Sequence, residues 1–502
     1  MSEEKIEKRK KIVLDWIKEP SNATLIAILI LAFAIRMYYF PTIKGQPLWW
    51  DEAEYMATAK HWAFGVIYNL NGQRPPLFQA LAALAFKLGL QEAAMRILLV
   101  IIPSVILSFT IYLLGKEMFD KKIALIAAFL SSISWTFVFW SLRLQPDFFS
   151  MIFQVLAVFF MWKYWKEENK KMILPALSGL CVALGVYFKV SALLVPMIFI
   201  VFIFLKERLS AFFNKANYVF SISFLISMVP YFIWSYFTFH DVLALRGGYT
   251  PDRTALEFAI GWYNFRFYYF LTEGVVFILF LIGLILALKF LFYSDLLLKE
   301  KKHWLNADIF CVLSLAFVSA FYIFYIRNTD DRWVFLWMPF IFLLAGKGLM
   351  FIYDKSKKYS KPLAILIIAV LLALSGYYQY KHFDSIIETK KDSYMPTKLS
   401  GIWLKENANK NDRVLSAGYT QTVYYSEINV THLTGDYATQ ASFDGFLQNT
   451  TPRYVILSAL EYNPPGALEW VQNNQNRVTP VQAYFSDAEK KNPILIIYEI
   501  KY

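Results

Sequence analysis

The sequence is short of charge and of metal-binding side chains: of 502 residues only 18% are charged, two are cysteine and five are histidine. Both cysteines, Cys181 and Cys311, lie inside apolar segments, which excludes a disulfide pair and fits small core residues. The histidines show no HxxxH or HxxE spacing, so no zinc site is expected, no cofactor is required and a divalent metal is not indicated. Internal repeats and low-complexity tracts are missing. So is a basic soluble domain. The formal net charge of +12 resides in short loops between apolar runs, which argues against nucleic acid as a partner.

What is abundant is apolar and aromatic, at 57% and 19% of the chain. Runs of about twenty apolar residues recur, each long enough to cross a bilayer. Spans are expected near 22–40, 93–115, 122–140, 147–165, 172–188, 190–206, 216–238, 272–293, 308–326, 333–352 and 361–380. The stretch from Pro76 to Leu90 reaches only about 21 Å as a helix, short of the roughly 30 Å hydrocarbon core. With that piece lying along the surface, the basic loops Lys116–Lys122, Lys163–Lys171, Lys206–Lys215, Lys299–Lys302 and Lys355–Lys361 share a side with the basic N-terminus, Lys5–Lys11.

The expected fold is therefore a mostly α polytopic membrane protein of about eleven transmembrane helices with an external interfacial helix. Its N-terminus is cytoplasmic and its first span a retained signal anchor. Residues 1–381 form the membrane module, with an external loop at 41–92. Residues 382–502 form an external soluble α/β domain, with strand-like pieces at Arg453–Leu460 and Pro493–Ile500 and a helix near Pro396–Glu406. Its NVT (Asn429–Thr431) and NTT (Asn449–Thr451) tripeptides are candidate glycan acceptors.

This topology gathers the polar residues with chemical potential on one face. WWDEAEY (Trp49–Tyr55) follows the first span, and QRPP (Gln73–Pro76) comes some twenty residues later. On a helix Asp51 and Glu54 share a face with Tyr55 beside them, so one carboxylate can act as base while the other holds substrate; the plainer alternative is a solvated helix start. Prolines after Arg74 stiffen the placement of a guanidinium suited to bidentate phosphate contact. Arg143 and Asp147 straddle Pro146 at a span end, where a local ion pair is the alternative. Lys189 sits in apolar sequence and either snorkels or neutralises an anion. Arg246, Arg253 and Arg266, with Trp262, Tyr263 and Tyr268, make a cationic aromatic loop able to bind phosphate and stack on sugar or line a lipid groove. Arg332 opens a later span.

In order, WWDEAEY, RPPLFQ, SLRLQPD, GVYFKVSALL and DRWVFLWMPFIFLLAG resemble the GT-C class of membrane glycosyltransferases. The likeness is to the protein O-mannosyltransferase and lipid A aminoarabinose transferase superfamily, over about Trp16 to Lys381. The resemblance implies transfer of a sugar from a polyprenyl (dolichyl or undecaprenyl) phosphate donor to an acceptor hydroxyl, at the external membrane face, with inversion. It assigns Asp51 as catalytic base with Glu52 as its adjacent partner, and Arg74 to the donor phosphate. Lys189, Arg266 and Arg143 are further phosphate candidates, with Glu54, Tyr55, Asp147, Tyr263 and Arg332 in support. The WWDEA start departs from the C-terminal WWDYG-type signature of oligosaccharyltransferases, which argues against asparagine-linked transfer and its metal. Glycan, lipid and protein all remain open as acceptor. A polyprenyl-linked lipid flippase is the alternative, and it predicts charge at mid-membrane depth and paired broken helices.

Overall fold

The computed structural model describes residues 17–502 apart from 168, 250–255, 263–264, 290–302, 328–330, 334, 436 and 488. Lys5–Lys11 and Lys299–Lys302 lie outside the described residues. Among the described residues, eight helical stretches are long and apolar enough to cross a membrane: Pro20–Ile43, Glu92–Met118, Asp147–Lys166, Val190–Phe213, Lys215–Phe239, Ala307–Ile326, Phe335–Lys357 and Lys361–Asn407. Three apolar helices are shorter: Leu77–Lys87, Ile173–Phe188 and Gly274–Ala287.

In chain order the helices of the membrane module are α1 (Pro20–Ile43), α2 (Trp50–Phe64), α3 (Leu77–Lys87) and α4 (Glu92–Met118, with a π-helical turn at Ile97–Ile101). Next come α5 (Lys121–Ile133), α6 (Trp135–Trp140), α7 (Asp147–Lys166), α8 (Ile173–Phe188) and α9 (Leu194–Glu207). They are followed by α10 (Lys215–Phe239), α11 (Leu256–Trp262), α12 (Phe265–Thr272) and α13 (Gly274–Ala287). The last three are α14 (His303–Ala320), α15 (Met338–Lys357) and α16 (Lys361–Lys390).

Two interruptions show how backbone polarity is managed inside an apolar bundle, where no water can satisfy freed groups. The single span expected over 122–140 is broken at Ser134 into α5 and α6. Gln379 repairs the break, accepting from the Trp135 N–H (2.8 Å) and donating to the Thr272 carbonyl. Arg36, fully buried on α1, donates to the Ser132 carbonyl at the end of α5 (3.1 Å) and to Ser104 Oγ (2.6 Å). In α10 Pro230 removes a backbone donor. The Tyr187 hydroxyl from α8 fills in, accepting from Tyr231 N–H (2.9 Å) and donating to the Ser227 carbonyl (3.1 Å). Asp308 on α14 pairs with Lys347 on α15, so this intramembrane charge has its counter-ion.

The last span was expected to end near residue 380, but α16 runs on to Lys390 and leads into the C-terminal domain. There α17 (Met395–Asn407), β1 (Arg413–Ser416), α18 (Tyr419–Ser426), β2 (Asn429–His432), α19 (Gln440–Thr450), β3 (Tyr454–Ser458), α20 (Pro465–Asn473), β4 (Val478–Phe485) and β5 (Pro493–Ile500) follow. The strands form one sheet in the order β2-β1-β3-β5-β4. β1 is parallel to β2 and β3, whereas β5 is antiparallel to β3 and β4. β3 is buried along its whole length, as a central apolar strand must be. The domain is docked on α2: Tyr425 Oη accepts from Leu48 N–H (2.8 Å), Thr420 Oγ1 donates to the Trp50 carbonyl (3.2 Å) and Lys60 pairs with Glu427 (2.7 Å).

α13 and α15 approach through glycine. A Cβ on Gly283 would stand 1.8 Å from the Leu344 carbonyl oxygen, and one on Gly348 would stand 2.1 Å from that of Leu279. Gly283→Val should therefore force the helices apart and cost about 1–3 kcal/mol, read as a lower thermal midpoint in detergent. An unchanged midpoint would show that the crossing yields freely.

Candidate active site

The site is assembled around the first turn of α2. Glu52, three residues into the helix, accepts from the Trp49 N–H (2.9 Å) and closes the helix N-terminus. Successive helical residues point about 100° apart, so the three carboxylates of WWDEAEY diverge in function.

Glu52 points inward and is fully buried. It accepts from Leu144 N–H (2.7 Å) and faces Arg96 (3.5 Å) and Arg143 (3.6 Å). Arg96 is held in turn by Glu92 (2.9 Å) and by the Leu142 (2.7 Å) and Gln46 (3.1 Å) carbonyls. The Arg143 guanidinium lies 3.7 Å over the Trp49 ring. Glu52 was expected beside Asp51 in the chemistry and Arg143 on a phosphate; in the structure both lie in a buried ionic cluster that ties α2, α4 and the 142–146 turn together.

Asp51 and Glu54 point the other way, onto Arg74. The guanidinium donates from Nη2 to Asp51 Oδ1 (2.7 Å) and from Nε to Glu54 Oε2 (2.7 Å), and Nη1 lies 3.4 Å from the Tyr55 hydroxyl. Asn71 Nδ2 fixes the other Glu54 oxygen at 2.6 Å. From the far end of the sequence, Arg332 reaches Asp51 Oδ2 (3.0 Å) while lying 4.7 Å over the Trp140 ring, whose Nε1 donates to Asp331 (2.8 Å). Burial pushes the Asp51 carboxyl up, but the Arg74 and Arg332 charges outweigh it and hold it down at about 2. Asp51 is thus ionised, and only a quarter exposed (26%).

Asp147 opens α7 and Lys189 ends α8, and the two pair with each other. Each charge suits the helix end it occupies. The Tyr55 hydroxyl touches Arg74 (3.4 Å), and burial raises its pKa well above the ordinary range. The local Arg143–Asp147 pair weighed from the sequence does not form; Arg143 faces Glu52 and Asp147 takes Lys189.

The cationic aromatic loop is less unified. Tyr268 stacks between Trp337 (4.8 Å) and Phe280 (5.7 Å) inside the bundle, so its faces are not offered to a sugar. Trp262 stacks on Phe258 (6.2 Å), Arg246 pairs with Asp241 (3.3 Å), and Arg266 lies exposed on α12. Tyr263 and Arg253 lie outside the described residues. Sequence reasoning missed Asn71, Arg96 and the contribution of α18 and β2. Arg96 left a signal, being a cation at i+4 from Glu92 at the start of a span.

Residues 73–234 match the family described as dolichyl-phosphate-mannose-protein mannosyltransferase, a segment that holds Arg74, Arg143, Asp147 and Lys189 and begins after Asp51. A search of curated proteins by sequence gave no match. Among solved structures, the apo oligosaccharyltransferase of Archaeoglobus fulgidus superposes with a TM-score of 0.64 at 14% identity, over 88% of this chain and 70% of that one. ArnT from Cupriavidus metallidurans bound to undecaprenyl phosphate gives 0.62 at 12% identity, over 94% of this chain and 97% of that one. The mycobacterial arabinofuranosyltransferase AftD gives 0.57 at 12% identity, over 94% of this chain but only 41% of that one.

Two substitutions separate the roles of the adjacent acids. Glu52→Gln leaves the buried Arg143 without a carboxylate, while Arg96 keeps Glu92, and should destabilise the protein by about 3–5 kcal/mol, seen as a large fall in thermal midpoint. Asp51→Asn should lower the midpoint at neutral pH and matter little in strong acid. The folded carboxyl titrates below its unfolded value, so its ion pairs stabilise fully above about pH 4 and that stability is lost as pH falls through about 2. The variant's midpoint should therefore fall less steeply between pH 5 and pH 2 than that of the parent. The long apolar helices, the docked α/β domain and the structural likenesses together give the conclusion that this chain is a multi-pass membrane protein with the GT-C fold of membrane glycosyltransferases.

Proposed function

We propose that the protein transfers a sugar from a polyprenyl-phosphate donor to an acceptor hydroxyl, with inversion, using Asp51 as general base. The observation that carries this reading is an ionised carboxylate clasped by two guanidiniums, Arg74 and Arg332, at the end of the bundle that also bears the C-terminal domain. With the basic loops on the cytoplasmic side, that end faces outward across a cell membrane, the N-terminus lies inside and the C-terminal domain outside.

The chemistry balances. The acceptor oxygen forms a bond to the anomeric carbon, the bond from that carbon to the phosphate oxygen breaks, and the acceptor proton passes to Asp51. The polyprenyl phosphate leaves as a stable anion and needs no proton, so one carboxylate suffices where a glycosidase uses two. At rest Arg74 and Arg332 make Asp51 a weak base. A donor phosphate competes for the same guanidiniums, so donor binding loosens the clasp and strengthens the base. Lys189 supplies a third cation, and ArnT, which shares this fold, was solved bound to undecaprenyl phosphate.

The flippase alternative calls for charge at mid-membrane depth; the charges found within the apolar helices are engaged in packing. Asp308 pairs with Lys347, and Arg36 bonds Ser104 and backbone carbonyls. The broken α5–α6 segment is likewise closed by Gln379.

Purified protein supplied with radiolabelled polyprenyl-phosphate sugars tests the reading. Asp51→Asn should lower transfer by about 10²–10⁴-fold while retaining donor, and Arg332→Gln should mainly raise the donor KM. Full activity in Asp51→Asn refutes the base assignment.

A further inference from the structure

The C-terminal domain turns a particular edge toward α2. Its parallel strands run β2-β1-β3, so the chain passes from β1 to one side and then back past it to the other. The carboxyl ends of parallel strands at such a reversal form a natural ligand crevice. Here that edge carries Tyr419 at the start of α18 and His432 at the end of β2. Thr420 fastens it to the backbone of Trp50, one residue before Asp51.

Four rings make a continuous strip across this junction. Trp50 lies 5.4 Å from His432, His432 lies 5.6 Å from Tyr419, and Tyr419 stacks at 5.5 Å on Tyr68. At its far end the strip meets the segment that follows α2, where the Asn69 N–H donates to the Tyr419 hydroxyl (3.3 Å). His432 is exposed. The Tyr68 ring is covered (6% exposed), but its hydroxyl oxygen is not enclosed and makes no hydrogen bond to another described residue. A hydroxyl open at this mouth can donate to or accept from a ligand group.

We propose that this strip is the acceptor subsite and that the acceptor is a carbohydrate; the assignment rests on the transferase reading above. The apolar face of a sugar ring packs against the exposed His432, which Tyr419 backs from inside, one sugar hydroxyl bonds Tyr68, and a neighbouring hydroxyl is delivered to Asp51. A peptide acceptor would be read chiefly by backbone pairing along a strand edge. The edge strand at this mouth, β2, is four residues long. The eight-residue edge strand β4 lies on the opposite side of the sheet.

Saturation-transfer NMR on the full-length protein in detergent tests binding without donor, with α-mannobiose, cellobiose, lactose and a serine/threonine heptapeptide as probes. At least one disaccharide should bind. His432→Ala should weaken it about fivefold through loss of a stacking face, and Tyr68→Phe, which keeps the ring and the fold, about fivefold through loss of one hydrogen bond. Binding of the peptide alone, or of no probe, or unaltered disaccharide affinity in both variants, overturns the proposal. Release of sugar from the polyprenyl-phosphate donor to water by the wild-type protein is measured in parallel. If the wild-type protein releases none while disaccharide binding remains sensitive to His432, the transferase reading fails and the carbohydrate site stands.

Discussion

The rest of the structure depends on the burial of Glu52. A carboxylate taken wholly out of water costs several kcal/mol, and here it is offset by two backbone N–H groups and two guanidiniums converging from three parts of the chain. Removing any of these partners leaves a buried charge less compensated by its surroundings. The first turn of α2, the start of α4 and the 142–146 turn are consequently locked into one geometry. Asp51 and Glu54 are aimed by the first of these, and Asp147, with Lys189 behind it, by the last. A pair of adjacent acids thus divides its labour by helix geometry alone, one fixing the scaffold and the other turned to Arg74, Arg332 and partly to solvent.

A second constraint acts deeper. Inside the bundle each interrupted helix has to find partners for its freed backbone groups from the protein itself. At Ser134 those partners are Gln379 and Arg36, and at Pro230 the Tyr187 hydroxyl. The repairs have consequences for the site, because the break at Ser134 frees α6 to take its own direction. Its last residue, Trp140, carries Arg332 on its ring and thereby brings the second guanidinium to Asp51. Irregular backbone at depth is here part of how a distant cation is positioned.

Much of the architecture was legible in the sequence because it follows from local rules. Runs of apolar residues mark α1, α4, α7, α9, α10 and α15 by length, and β3 and β5 by β-branched composition between turns. The Asp51–Arg74 contact was within reach as well, since two prolines after Arg74 restrict where its side chain goes. What could not be read is whatever depends on which way neighbouring residues face. Glu52 and Arg143 looked equivalent to Asp51 and Arg74 by type and location, and only the three-dimensional rotation of α2 separates them. Tyr268 looked like a stacking residue, yet its partners Trp337 and Phe280 come from other helices. The docking of α18 and β2 onto α2 rests on long-range contacts for which a single sequence carries no local sign.

On the proposed reaction, the charges at Asp51 explain why two arginines rather than one should meet there. Before transfer the site holds the Asp51 carboxylate and a singly charged phosphodiester. Afterwards it holds a neutral carboxylic acid and a phosphomonoester carrying the charge that Asp51 gave up. The total does not change; charge moves from the carboxylate to the leaving oxygen. Cations that touched only the phosphate would favour product and hold it. Cations that touched only Asp51 would keep the base weak, as the clasped resting state does. Guanidiniums placed between the two can shift hydrogen bonds from one to the other as the charge moves, and that stabilises the transition state more than either end point. On this proposal Arg74, with its planar fork already shared between Asp51 and Glu54, and Arg332, approaching the other Asp51 oxygen, take that intermediate role once donor binds.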